Sequence, residues 1–361
     1  MIKQKARLIV YCSLFPLLLA GCEGPREKPG PGAAEVQAQV AGDVPADFTM
    51  FDAPVLEQEQ DLRHEAAQRF EYQDFKHIEE NLARYRRPGQ EFVNGKSKLI
   101  LYYLGLGDNA TTEKAWRENE PRFQQWRKLY PHSMGLSVAL ANHYYDGAFL
   151  AQEGKTQSDL NPRQRNLRSQ RLAMAQKALE DGKAASTRCP GWYFMAQTIA
   201  IQQGISFAEL SALTEKANAQ FPGFRAYEYT VIFYLTSTHR QGPQKWQQYA
   251  AGVADKLGGE AGDRFYARAV WSLLMRRDSD ISPHLKTFDW PRAKRGFQSL
   301  MAGFDTSSVM GAYALAAWLA RDRATLKHLF QDKIGNQADQ TVWADYNQYT
   351  TARKWALEDR A

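Results

Sequence analysis

The sequence predicts an all-α chain arranged as an α-solenoid of stacked antiparallel helix hairpins. Three observations carry this expectation. In the stretch from Cys189 to Ser237, a Pro-Gly-aromatic step occurs twice, as Pro190-Gly191-Trp192 and Pro222-Gly223-Phe224, 32 residues apart. Between the steps lie two helical patterns parted by Gly204, and the second opens with Ser206 and Glu209 at the spacing of a capping box, in which each side chain satisfies the other's backbone N–H. No run of alternating β-branched residues is long enough to form a sheet.

A helix pair that recurs about every 34 residues is the mark of a tetratricopeptide-like array. With 361 residues and 44% apolar content, the chain can bury a substantial core. Its nine Trp, 18 Phe and 17 Tyr suit short helices that dock through large side chains.

The N-terminus reads as an address. Lys3, Lys5 and Arg7 precede an apolar run, Leu8 to Leu19, too short to span a bilayer. Leu19-Ala20-Gly21-Cys22 then resembles the lipobox of bacterial lipoproteins, which implies a signal peptide over residues 1–21 and lipid on the Cys22 thiol. Residues 22–48, rich in Pro, Gly and Ala, read as a disordered tether reaching roughly 80 Å at about 3.3 Å per residue. The expected location is the bacterial cell envelope, lipid-anchored and facing the periplasm. Glu23 in place of Asp favours the outer membrane over the inner. The formal net charge of +6 falls to about +3 without the signal, which makes no case for nucleic acid.

The repeat domain is expected over 49–361. Leu62, Ala66 and Phe70 share one helical face. Asp74 is placed to cap a helix carrying Phe75, Ile78, Leu82 and Tyr85. Asn94-Gly95-Lys96-Ser97 ends like a phosphate-binding loop, but Gln90 stands where that motif needs Gly, so Ser97 is read as an early residue of a helix with Leu99, Leu101, Tyr102 and Leu104. Thr112 begins a regular pattern through Trp116, Pro121, Phe123, Trp126 and Leu129. Its partner helix runs from about Ser133 to Leu150. Residues 151–163 read as an insertion, followed by the basic run that contains Arg163, Arg165, Arg168 and Arg171. These four are the candidate partner-binding residues; the alternative is the solvated side of a helix whose apolar side carries Leu167, Leu172, Ala175 and Leu179. In the capped helix after Ser206, Phe207, Leu210, Leu213 and Ala217 form the expected buried face. Pro243 is expected to start a helix closed by Gly258-Gly259, Asp263 to cap the next, and Asp289 to open another that pairs with Val309 to Arg321. The last helix is placed at about Asp339 to Leu357, with a polar outer side serving as a terminal cap.

Cysteine and histidine usage is spare. With Cys12 removed and Cys22 acylated, only Cys189 remains, which precludes an intrachain disulfide and reads as a buried small side chain. His132 and His143 lack metal-ligand spacing. No metal or cofactor is expected.

From about Phe70 onward the chain resembles the bacterial family known as domain of unknown function 4034. The resemblance rests on Trp116 and Trp126 before Tyr130-Pro131-x-Ser133, and on Ala139-Leu140-Ala141 with Tyr144. It continues through Pro190-x-Trp192-Tyr193-x-Met195, Gln203-Gly204, Phe221-Pro222-Gly223-Phe224 with Tyr227, and Tyr266-Ala267-Arg268 before Trp271. The chain departs from the family at Thr236 to Gly242. The resemblance implies a tetratricopeptide-like fold and brings no catalytic residue. Together these readings point to a membrane-anchored, non-catalytic scaffold offering a helical groove to a protein or peptide. The alternatives are a structural subunit of an envelope assembly or secretion machine and a glycan-active enzyme with two carboxylates. A scaffold predicts a groove lined with aromatics or Arg; an enzyme predicts a pocket of converging carboxylates with displaced pKa values.

Overall fold

Helices make up nearly all of the regular structure, as apolar spacing of three and four residues dictates. The computed structural model describes residues 48–237, 244–276, 282–285, 287–303, 306–343 and 346–358. The signal peptide, Cys22, the tether up to residue 47, and Pro243 lie outside the described residues.

α1 (Pro54–Glu71) buries Val55, Leu62, Ala66 and Phe70. α2 (Phe75–Tyr85) is capped by Asp74 and buries the four residues its spacing aligned. α3 (Lys98–Gly105) follows, with Ser97 as its N-cap rather than a helical residue. α4 (Glu113–Glu118), capped by Thr112, and α5 (Glu120–Leu129) lead to α6 (Leu136–Leu150). The insertion forms turns and one 3-10 turn, Gln157–Asp159. α7 (Pro162–Asp181) then starts from a second capping box, Asn161 with Gln164. α8 (Lys183–Ser186) is a single turn before α9 (Pro190–Gln202). α10 (Phe207–Gln220), α11 (Ala226–Ser237), α12 (Gln244–Leu257) and α13 (Gly259–Leu274) continue the succession. α14 (Trp290–Gly303), α15 (Thr306–Leu319), α16 (Arg323–Leu329) and α17 (Tyr346–Leu357) complete it.

Several local expectations need correction. The Ser206–Glu209 capping box is formed and Leu210 and Ala217 are buried as expected, but Phe207 is 37% exposed, Leu213 is half-buried, and Thr214 is buried in addition. Phe207 sits in the first turn, where its ring stacks on Tyr234 at 6.4 Å rather than entering the core. Asp263 caps nothing: α13 begins at Gly259, and the Asp263 carboxylate binds Arg295 of α14 at 2.7 Å. Asp339 lies in a short strand, because the hydrogen bonds its backbone makes are to a partner far away in sequence.

The helices sort into two layers. α3, α6, α9, α11, α13 and α15 form the inner one: α3 packs on α6, α6 on α9, α9 on α11, and α13 on α15. α11 meets α13 through the stacked rings of Tyr229 and Phe265, 5.2 Å apart. α6, α9 and α11 bury residues on every side, as their sequences, apolar all round, require. α12 and α14 alternate with them as amphipathic outer helices.

The two ends meet. α15 packs on α1, and α1 on α3. β1 (Thr49–Phe51) pairs in parallel with β2 (Gln337–Asp339), Thr49 opposite Gln337 and Phe51 opposite Asp339. The Ser308 hydroxyl of α15 accepts from the Val55 backbone N–H at 3.1 Å, and Phe48 packs its ring on Tyr346 and Tyr349 of α17. The last helix therefore packs on the first described residues through Phe48, while Asn347, Thr351 and Lys354 keep its outer side polar and exposed, as expected. A short segment between α2 and α3 reaches a second distant contact, where Arg268 of α13 donates to the Val93 carbonyl at 2.9 Å. Gly95 in that segment has φ of 85°, and a Cβ there would lie 2.8 Å from the Tyr229 hydroxyl. Only Gly allows this approach.

Candidate functional site

The inner helices converge on a cavity of about 110 Å³. Each of five contributes one stripe at helical spacing: Ile100, Leu101 and Leu104 from α3; Asn142, Tyr145 and Asp146 from α6; Phe194, Met195 and Thr198 from α9; Ala226, Tyr229 and Thr230 from α11; Trp271, Ser272 and Met275 from α13. Arg276 and the segment Asn94 to Ser97 complete the wall. A stripe at i, i+3 and i+4 is what one face of a helix offers, so the cavity follows from how the helices are packed and not from any one motif.

Most of the lining is apolar and aromatic; the polar groups are few and mostly occupied. Lys96 Nζ lies 2.7 Å from Glu59 Oε2, and Asn94 Nδ2 lies 2.5 Å from Glu59 Oε1. Arg276 donates to the Thr236 hydroxyl at 2.6 Å and lies over the Phe233 ring. Behind Asp146, Arg63 Nε binds Asp108 at 2.8 Å and its second nitrogen binds the other carboxylate oxygen.

Asp146 differs. Its Oδ2 accepts from Asn142 Nδ2 at 2.9 Å, whereas Oδ1 has no partner among the described residues. The Asn142 amide also donates to the Tyr103 carbonyl at 3.5 Å, and this carbonyl, which can only accept, fixes the amide's orientation. That leaves Asn142 Oδ1 unpartnered, along with the hydroxyls of Tyr145 and Tyr229 and Trp271 Nε1. By accessible area Asp146 is half-buried, but it borders the cavity and is surrounded by protein, so its carboxyl is desolvated. Burial first, then the nearby Asp108 carboxylate, pushes its pKa up to about 8 against the pull of Arg63 and the Asn142 hydrogen bond. At neutral pH the group is mostly a neutral acid.

A second polar cluster lies across the same helix, packed among aromatic rings. His143 of α6 stacks on Trp116 at 4.7 Å and 8°, and the Arg171 guanidinium covers the same indole at 4.1 Å. Trp116 Nε1 donates to the His143 carbonyl at 2.8 Å, and Arg171 donates to the Gly147 carbonyl at 2.7 Å. Neither ring nitrogen of His143 has a partner among the described residues. Burial, with a smaller contribution from Arg171, lowers its pKa to about 3.

The four candidate arginines do not share a surface. Arg163 and Arg165 are exposed, whereas Arg168 and Arg171 are buried. Arg168 binds Gln202 at 2.5 Å and lies over the Phe149 ring. α7 packs on α6 through the face that carries Arg168, Arg171, Leu172 and Ala175 at helical spacing, and Arg163 and Arg165 fall off that face toward solvent. Cys22 lies outside the described residues. Cys189 is buried, 3.3 Å from the Tyr103 hydroxyl, and burial raises its thiol pKa. Among the described residues, no group of three His, Cys, Asp or Glu is placed to hold a metal, and no helix is long and apolar enough to cross a membrane.

Sequence reasoning passed over Asn142 and Asp146 and weighed His143 only as a metal ligand. The signal was present: Asp146 is the only charged residue of Leu136–Leu150, a helix otherwise apolar on nearly every side. The Asn94-Gly95-Lys96-Ser97 segment, dismissed as a phosphate loop, instead forms part of the wall through Glu59 and Tyr229. No family model, curated protein or solved structure matches the chain.

Proposed function

We propose that this chain is a lipid-anchored, non-catalytic binding protein of the bacterial cell envelope, tethered through Cys22 at the outer membrane, and that its ligand is a small molecule held among the inner helices. The observation that carries the ligand reading is the convergence of five helical stripes on one cavity. A concave, mostly apolar space with a few placed polar groups is the usual form of a small-molecule site. The joined ends favour such a ligand over an extended peptide, which needs an open groove. The likeness to domain of unknown function 4034 assigns no activity. A glycan-active enzyme gains some support from the raised pKa of Asp146 beside Asp108. Against it, the cavity beside Asp146 is lined mainly by apolar and aromatic side chains, with few polar groups to hold the hydroxyls of a sugar.

Native mass spectrometry of the purified protein tests the ligand reading, with Ala226→Phe as the control that fills the cavity. Bound small molecules are expected in the wild type and lost in the variant; equal occupancy in both would refute it. For the anchor, Cys22→Ser is expected to leave the membrane fraction, and continued lipid labelling of that variant would rule out acylation at Cys22.

A further inference from the structure

Taking the cavity as a ligand site, we propose that it selects a small primary amine with an apolar body, whose ammonium group is received by Asp146 and Asn142. Three observations support this.

The first is the balance of unpaired atoms. Asn142 Oδ1 and the hydroxyls of Tyr145 and Tyr229 are buried with no partner among the described residues, Asp146 Oδ1 accepts from none of them, and all four can accept once Asp146 is ionised. Trp271 Nε1 is the unpaired donor of the wall that cannot accept. An ammonium brings three N–H donors and no acceptor, the complement of that set.

The second is charge. Lys96 is paired with Glu59 and Arg63 with Asp108. Arg276, the remaining cation of the wall, is held against Thr236 and Phe233. Asp146 has no cation bonded to it. The groups facing it are Asn142 and Tyr145 on its own helix, Arg63 from α1, Asp108 after α3, Lys96 and Tyr229 across the cavity, and Arg276 after α13. The third is the wall. Tyr145, Phe194, Tyr229 and Trp271 line the same cavity as the carboxyl, and aromatic faces attract a desolvated cation.

Binding carries a proton balance. In solution the amine is an ammonium, while Asp146 holds its own proton at neutral pH because burial raises its pKa to about 8. The complex contains one N–H···O⁻ pair and one proton fewer, so close to one proton is released per ligand below pH 8. Affinity must then rise nearly tenfold for each unit by which pH rises toward that point.

Calorimetry on the full chain, with phenethylamine, phenethyl alcohol and phenylacetate as probes, tests this at pH 6, 7 and 8 in two buffers of different ionisation enthalpy. The amine is expected to bind at least about tenfold tighter than the alcohol or the acid, to release close to one proton at pH 6 and 7 and about half a proton at pH 8, and to gain nearly tenfold in affinity from pH 6 to pH 7. Asp146→Asn is expected to lose about 10–100-fold for the amine and to abolish its pH slope while keeping the alcohol. Should that variant misfold, proton release by the wild type decides. Alcohol or acid binding as tightly as the amine, or amine binding without proton release, overturns the assignment and leaves the cavity reading standing. If none of the three probes binds, and benzene does not either, both fail.

Discussion

The two sides of α6 make an instructive comparison. Both bury an ionisable residue in a helix of otherwise apolar character, but on one side Asp146 borders a cavity, and on the other His143 is closed between Trp116 and its neighbours. Desolvation drives both to the neutral form, so their pKa values move in opposite directions, Asp146 up to about 8 and His143 down to about 3. Where packing is complete, a polar group serves the fold. Where space is left beside it, an unpaired oxygen has something to do.

The sharpest way to break the comparison is to empty the packed side. Trp116→Ala removes the ring on which both His143 and Arg171 rest and is expected to cost about 3–5 kcal/mol in urea unfolding. A loss no larger than that of a surface substitution would mean the sandwich contributes little.

The pH dependence of stability follows next, and its sign differs between the two residues. Between about pH 4 and 8 the unfolded chain has lost the Asp146 proton and the folded chain has kept it, so this group destabilises the fold as pH rises. Between about pH 6.5 and 3 the unfolded chain gains a proton on His143 that the folded chain refuses, so this group destabilises the fold as pH falls. From pH 4 to 6.5 the two slopes oppose and nearly cancel. Asp146→Asn is therefore expected to become more stable with rising pH over that range, and His143→Phe less stable, each by up to a few kcal/mol. Urea midpoints measured from pH 4 to 8 check this; parallel profiles for the two variants would refute the assignment.

A smaller effect separates the arginines. Arg171→Ala loses the Gly147 carbonyl bond and the indole contact, at an expected cost of about 2–3 kcal/mol. Arg163→Ala and Arg165→Ala lie on the solvent side of α7 and are expected to stay within about 0.5 kcal/mol. Thermal melts of the three variants rank them directly. Similar losses at all three positions would contradict the division of α7 into two faces.

Local chemistry was readable where it is local. Asp74 and Ser206 cap the helices their spacing announced, and Phe75, Ile78, Leu82 and Tyr85 are buried together as their period demanded. Asp263 misled because an acidic residue inside a helix, paired with the arginines of the next one, looks in sequence like a cap. The basic run of α7 misled for a related reason: charge density along the chain says nothing about which side chains an adjoining helix covers.

The sequence by itself determined the all-α class and most helix boundaries, since capping, helix-stopping glycines and apolar period act over a few residues and need no distant partner. It also marked Asp146 as out of place in an apolar helix. Only the tertiary structure decided that the ends join through β1 and β2, that α11 and α13 bring Tyr229 and Trp271 to face α6, and that the space between them stays open. Those outcomes depend on how side-chain volumes from five separate helices sum at one point. Packing of that kind is a property of neighbours in space, and neighbours along the chain do not fix it.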